Sequence, residues 1–287
     1  MGLHTQLRHV LECTIIVSIF LAFDRLSDLD SIKNEKTLSK ANAVVSLLRI
    51  AVDDLAKAYE GVHILVNSSS IADFEKLITP KSKAILICNP NNPTGYTYSK
   101  EELEKLKQIC LKYDLFLIAD EVYREFYYNG DYAPSVMELS GLEDKAILID
   151  SASKRYSMCG VRIGAIISRN KEVIQTALKF GQARLSPPYF GQLIVEEALK
   201  APKSYYQEVK EEYQKRRDII VEELSKIPHV KFSFPNGAFY TMAELPIDDD
   251  EKFCSWLLTD FSFESETVML SPGSGFYISE GMGKNQV

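Results

Sequence analysis

Lys154 stands in the run Ser151-Ala152-Ser153-Lys154-Arg155-Tyr156-Ser157-Met158-Cys159-Gly160-Val161-Arg162-Ile163-Gly164. Small hydroxyl residues precede it, a further cation follows at Arg162, and two glycines permit tight turns. A lysine with uncrowded neighbours and anion-binding groups nearby can form an imine with an aldehyde and retain an anionic ligand. A lysine after a strand is ordinarily just a solvated surface group, so this reading needs partners elsewhere in the chain. Two segments offer them. Asn89-Pro90-Asn91-Asn92-Pro93-Thr94-Gly95 is a loop fixed by two prolines and a glycine that displays short amides. Asp120-Glu121-Val122-Tyr123 sets a carboxylate and a phenol at the end of an apolar run. Alone, the first is a turn and the second a helix cap.

The three segments together, each after a short apolar run, resemble the class I and II aminotransferases, the pyridoxal-phosphate-dependent proteins of fold type I. The likeness covers roughly 61–287 and is greatest to the aspartate and aromatic type. It implies that Lys154 carries pyridoxal 5'-phosphate as a Schiff base and serves as the catalytic proton carrier. It implies that Asp120 meets the pyridine nitrogen and that Tyr123 and Asn92 bond the phenolic oxygen, with Asn92 also close to the substrate carboxylate. Ser151, Ser153 and Arg162 fall in the phosphate neighbourhood. A carboxylate beside a cationic ring nitrogen keeps both charged, which is what an electron-sink cofactor needs. The implied reaction moves an amino group between an amino acid and a 2-oxo acid, and the implied assembly is a homodimer.

These residues require elements to hold them. Ala84–Cys88, Leu115–Ala119 and Ala146–Asp150 are short, nearly continuous apolar runs, as in strands buried on both faces of a parallel sheet. Gly164–Ser168 reads as a fourth strand. Ser99 with Glu102 signals a helix start, and Leu103, Leu106 and Cys110 share one face of that helix. Strand, helix, strand at this spacing is a βαβ unit, so the expected fold is α/β: a mainly parallel sheet with flanking helices, where ligands collect at strand C-termini. A smaller α+β domain follows. In it, 203–226 is a long charged helix with Tyr206, Val209, Tyr213, Ile220 and Leu224 near one stripe. Val230–Phe234 and Ala238–Met242 flank the turn Pro235-Asn236-Gly237 as a strand pair. A helix over Glu251–Asp260 and a strand over Thr267–Leu270 complete it. The expected organisation is an unassigned segment 1–60, a cofactor-binding large domain 61–201, and a connecting helix with a small domain 202–287.

The chain has 287 residues and a net charge of −7, with its cations dispersed, which speaks against a nucleic-acid partner. Five widely spaced cysteines without a C-x-x-C pair argue against a disulfide framework and for a reducing, cytoplasmic setting. Four scattered histidines give no metal-ligand pattern. The apolar run 13–23 is too short to span a bilayer, lacks a small-residue cleavage site, and reads as a buried helix or strand, with an export signal as the lesser reading. Val44–Tyr59 has helical periodicity.

Three elements that the resemblance implies are not placed: the glycine loop for the phosphate, the aromatic that stacks on the ring, and the carboxylate-binding arginine expected after Ser271–Phe276. An incomplete relative is therefore expected. Two further readings stay open at this point: a homologue that keeps the fold as a structural or interaction protein, and a pyridoxal-phosphate-dependent β-lyase.

Overall fold

A computed structural model describes residues 63–66, 70–277 and 281–287. The apolar run 13–23 and the periodic stretch Val44–Tyr59 lie outside the described residues. Two compact units emerge. The first holds the described residues up to Asn89, with Tyr98–Val122 and Pro134–Pro202; the second holds Pro90–Thr97, Tyr123–Ala133 and Lys203–Val287.

The first unit is a five-stranded sheet in the order β1 (His63–Val66), β2 (Ser82–Cys88), β3 (Phe116–Asp120), β4 (Ala146–Ser151), β5 (Gly164–Ile167). β1 to β4 run parallel, and β5 joins β4 antiparallel. The expected mainly parallel sheet is present, with its fourth predicted strand reversed. Strands stepping in one direction through right-handed crossovers bring their connections to one face. That face holds Ile85, Ile87, Leu117, Ala119, Ala146 and Leu148, covered by Phe74 of α1 (Ile71–Leu77) and by Leu103, Leu106, Ile109 and Cys110 of α2 (Lys100–Tyr113). The opposite face carries Ala84, Ile118 and Ile147 against Val173 of α4 (Lys171–Arg184). The two sets alternate along each strand, as side chains on a pleated sheet must.

Local chemistry sets the boundaries. Ser99 Oγ accepts the Glu102 N–H at 3.2 Å while the Glu102 carboxylate accepts the Ser99 N–H at 2.8 Å, a reciprocal cap for α2. The helix stops at Asp114, whose backbone is left-handed. Asn170 caps α4 through the amides of Glu172 and Val173. The one-turn α3 (Ala152–Arg155) and the helix α5 (Tyr189–Ala198) complete this unit.

In the second unit α6 spans Lys203–Lys226. Its predicted stripe is only partly covered: Tyr213 packs on Phe126 and Phe239, whereas Ile220 is exposed. β6 (Lys231–Phe232) and β7 (Ala243–Glu244) form a two-stranded antiparallel sheet. Ala238–Met242 is therefore not the second strand of the hairpin; that role passes to Ala243–Glu244. Val287 exchanges two backbone hydrogen bonds with Ala243, at 2.9 and 3.0 Å. α7 (Asp250–Thr259) is capped by the Asp249 carboxylate on the Lys252 amide. Thr267–Leu270 is irregular rather than a strand: it enters no ladder among the described residues, and the nearby bridge joins Phe263 to Glu266 just before it.

Candidate active site

The first unit places Asp120 at the C-terminus of the central strand. Cys88 and Ile149 flank Asp120 in register, so it sits in a row of strand ends. Its backbone is held from both sides: the Asn89 N–H donates to the Asp120 carbonyl at 2.8 Å, and the Glu121 N–H donates to the Ile149 carbonyl at 3.0 Å. The carboxylate accepts the Val122 N–H at 3.1 Å, and the residue is only 8% exposed. A buried carboxylate at a strand end is suited to face a cation.

Glu121 points into the sheet's covered face. Its Oε1 accepts the Val136 N–H at 2.8 Å and the Ser135 hydroxyl at 3.0 Å, and the residue is 1% exposed. The adjacent acids thus divide their work: Glu121 anchors the short 3-10 turn Val136–Glu138, while Asp120 stays at the strand end.

One strand over, β4 ends in Ser151 and passes directly into α3, which bears Lys154. The Ser153 N–H donates to Ser151 Oγ at 3.1 Å, and the two hydroxyls lie 2.8 Å apart. The Ala152 N–H donates to the Ile163 carbonyl at 3.0 Å, which ties the turn to the returning chain. Gly164 lies against this turn so closely that a Cβ there would meet the Asp150 carbonyl at 2.9 Å. Lys154 is half-buried and Ser153 is buried. An ion pair of 2.8 Å joins Asp150 to Arg155, bracketing Lys154, and the Ser151 N–H donates to the other Asp150 oxygen at 2.8 Å. Arg162 follows the turn Cys159–Val161 with a left-handed backbone and donates to the Cys159 carbonyl at 2.9 Å.

The structure brings Asp120, Ser151, Ser153, Lys154 and Arg162 into one unit. Asn92 and Tyr123 belong to the other. There, Asn92 is exposed on a loop tightened by Asn91, whose side chain accepts from the Thr94 hydroxyl at 2.9 Å. The Asn236 and Gly237 amides both donate to the Gly95 carbonyl at 3.0 Å. Across the same turn the Tyr128 N–H donates to the Asn236 carbonyl and the Ala238 N–H to the Phe126 carbonyl. The Pro235–Tyr240 segment is thus a common seat for the Asn92 loop and the Tyr123 segment. Tyr123 is 3% exposed, and its hydroxyl lies 2.9 Å from that of Tyr240.

Sequence reasoning missed the Asp150–Arg155 pair, the anchor at Glu121 and the contact at Tyr240. The first left a signal, opposite charges flanking the lysine turn. The last left none, because Tyr123 and Tyr240 are far apart in the chain.

Among the described residues no group of histidines, cysteines and acids could hold a metal ion, and no helix is long and apolar enough to cross a membrane. A family model described as aminotransferase class I and II matches residues 51–284. The chain is 34% identical over 238 residues to the putative aminotransferase YugH of Bacillus subtilis (strain 168), covering 79% of this chain and 59% of that one. It is 35% identical over 210 residues to a probable aspartate/prephenate aminotransferase of Aquifex aeolicus (strain VF5), covering 72% and 53%. The crystal structure of an aspartate aminotransferase from Thermotoga maritima matches with a TM-score of 0.63 at 35% identity, covering 72% of this chain and 52% of that chain. The chain thus spans a little over half the length of the relatives it matches.

Proposed function

Because the chain belongs to the class I and II aminotransferase family, we propose that it acts as a pyridoxal-phosphate-dependent transaminase, moving an amino group between an amino acid and a 2-oxo acid. The observation that carries this reading is the placement of Asp120 and Lys154: a buried carboxylate ends one parallel strand and a half-buried lysine follows the end of the next. Within the first unit the donors, a buried carboxylate, a lysine, two hydroxyls and a guanidinium, suit the cofactor's chemistry. Lys154 would hold its aldehyde carbon, and Asp120 would hold a proton on the pyridine nitrogen. Asn92 and Tyr123 would bond its phenolic oxygen, and the Ser151 and Ser153 hydroxyls with Arg162 would serve the phosphate.

When bound, pyridoxal phosphate supplies an electron sink for the pair of electrons left when the substrate loses its α-proton. The protein's share is positional and acid–base. Once displaced by the incoming amino group, the Lys154 amine would take the proton from the substrate α-carbon as a general base and deliver it as an acid to the carbon that had carried the aldehyde. Asp120, shielded from water, would present its carboxylate at a strand end held by its neighbours' backbone. The Asp150–Arg155 pair restrains the turn from which Lys154 projects. Asn92, exposed on its loop, would meet the substrate carboxylate. The working form would be a cytoplasmic homodimer, in keeping with the odd, widely spaced cysteines of the sequence and with the family resemblance.

The test is an absorbance spectrum of the purified protein with added pyridoxal phosphate. A visible band that borohydride fixes in the wild type and that is absent in Lys154→Ala is the expected result, together with 2-oxo acid formed only when an amino acid is added. Undiminished turnover in Lys154→Ala overturns the assignment. The structural-protein and β-lyase readings have no observation in their favour.

A further inference from the structure

We propose that Tyr240 is a positioning residue for Tyr123: its hydroxyl completes a two-phenol chain that aims the Tyr123 O–H at the cofactor's phenolic oxygen. The inference rests on the reading above, in which Tyr123 faces that oxygen.

The geometry lies within the second unit. Three rings meet Tyr123 edge-on, Phe126 at 6.4 Å, Phe239 at 5.2 Å and Tyr240 at 5.5 Å between centroids. A ring 3% exposed and hemmed by three others cannot swing, so only the hydroxyl proton remains adjustable. Tyr240 is fixed as well. It closes the Pro235–Tyr240 segment, where Gly237 and Ala238 donate to the carbonyls of Gly95 and Phe126. Phe239, the residue between, stacks on Tyr213 at 4.8 Å. The two hydroxyl oxygens are 2.9 Å apart, and either can donate.

A phenol has one proton to give. If Tyr123 donates to Tyr240, it has none for a ligand. If Tyr240 donates to Tyr123, the Tyr123 proton can be given to a ligand oxygen, and the accepted bond polarises that O–H into a stronger donor. An anionic oxygen ahead of Tyr123 selects the second arrangement, because hydrogen bonding favours the charged form. Tyr240 therefore sets the direction and strength of a bond that it does not itself make.

The experiment uses the full chain as wild type, Tyr240→Phe, Tyr123→Phe and the double variant. Each is loaded with pyridoxal phosphate, and its visible absorbance is followed against pH. A hydrogen bond to the deprotonated chromophore holds the proton off at lower pH, so weakening it moves the midpoint up, by about half a unit for Tyr240→Phe and more for Tyr123→Phe. The apoproteins' affinity for the cofactor falls two- to tenfold, on the order expected for one weakened hydrogen bond. In the Tyr123→Phe background, Tyr240→Phe moves neither reading. Phenylalanine keeps the ring, and thermal melting of each apoprotein verifies that the fold persists. A Tyr240→Phe midpoint equal to wild type, or an equal shift with Tyr123 already replaced, overturns the proposal while leaving the cofactor reading intact. A wild type that forms no borohydride-fixable band removes the premise and the proposal with it.

Discussion

The Gly237 amide donates to the Gly95 carbonyl at 3.0 Å, and neither glycine has room for a side chain. A Cβ on Gly237 would lie 2.6 Å from the Thr97 hydroxyl and 2.7 Å from Pro90; one on Gly95 would lie 2.3 Å from Pro235 and 2.7 Å from the Tyr240 carbonyl. Gly95 also has a φ of +68°, where side chains are strained. The loop bearing Asn92 is thereby pressed against the turn that leads to Tyr240.

Gly95→Ala should cost about 2–4 kcal/mol, from overpacking against backbone plus left-handed strain, and Gly237→Ala about 1–3 kcal/mol. Urea unfolding measures both. A Gly95→Ala midpoint equal to that of wild type would contradict the close seating.

Breaking the Asp150–Arg155 pair by Asp150→Asn or Arg155→Met should destabilise by about 1–2 kcal/mol, below the cost of breaking a fully buried pair because both side chains keep some solvent. The double variant should cost less than the sum of the singles. Strictly additive losses in a double-mutant cycle would show that the pair restrains nothing.

Burial pushes the Cys110 thiol from its ordinary 9.0 up to about 12, and the Cys254 thiol up to about 11. Both should resist a thiol-specific disulfide reagent at pH 8 in the native protein and react only after unfolding, whereas exposed Cys159 reacts at once. The pH sign follows. The folded chain keeps Cys110 protonated when the unfolded chain has ionised, so this contribution is complete below pH 9 and is lost as pH rises toward 12. Cys110→Ala should flatten that alkaline decline in thermal melts run from pH 8 to 11. An unchanged slope counts against it.

Asp120→Asn keeps size and removes charge. Pyridoxal phosphate should still bind through Lys154, while turnover falls on the order of 100-fold or more, as when a preorganised electrostatic partner is lost. Loss of cofactor with turnover unchanged per bound cofactor would show that Asp120 holds the ligand rather than tuning it.

Much of the first unit was legible because its signals are local. The runs around Ile85, Leu117 and Leu148 are apolar on both alternations, since each strand is covered on both faces. Ser99 and Glu102 announced their helix through a cap four residues long. The second unit was less legible. Ala238–Met242 has the composition of a strand, but Ala238 adopts a positive φ and gives its amide to the Phe126 carbonyl instead of a ladder. Thr267–Leu270 has strand composition but enters no ladder among the described residues, and propensity alone does not make one.

By itself the sequence singled out Asn92, Asp120, Tyr123, Ser151, Ser153, Lys154 and Arg162 as candidates and disclosed the parallel strands that lead into their segments, because residue type, order and periodicity are properties of the chain alone. Tertiary structure decided what holds them. It turned β5 against β4, bracketed Lys154 with Asp150 and Arg155, gave Glu121 to the core, and set Tyr240 against Tyr123. Hydrogen bonds and ion pairs between residues distant in sequence form only once packing has fixed both partners, and no local pattern encodes them.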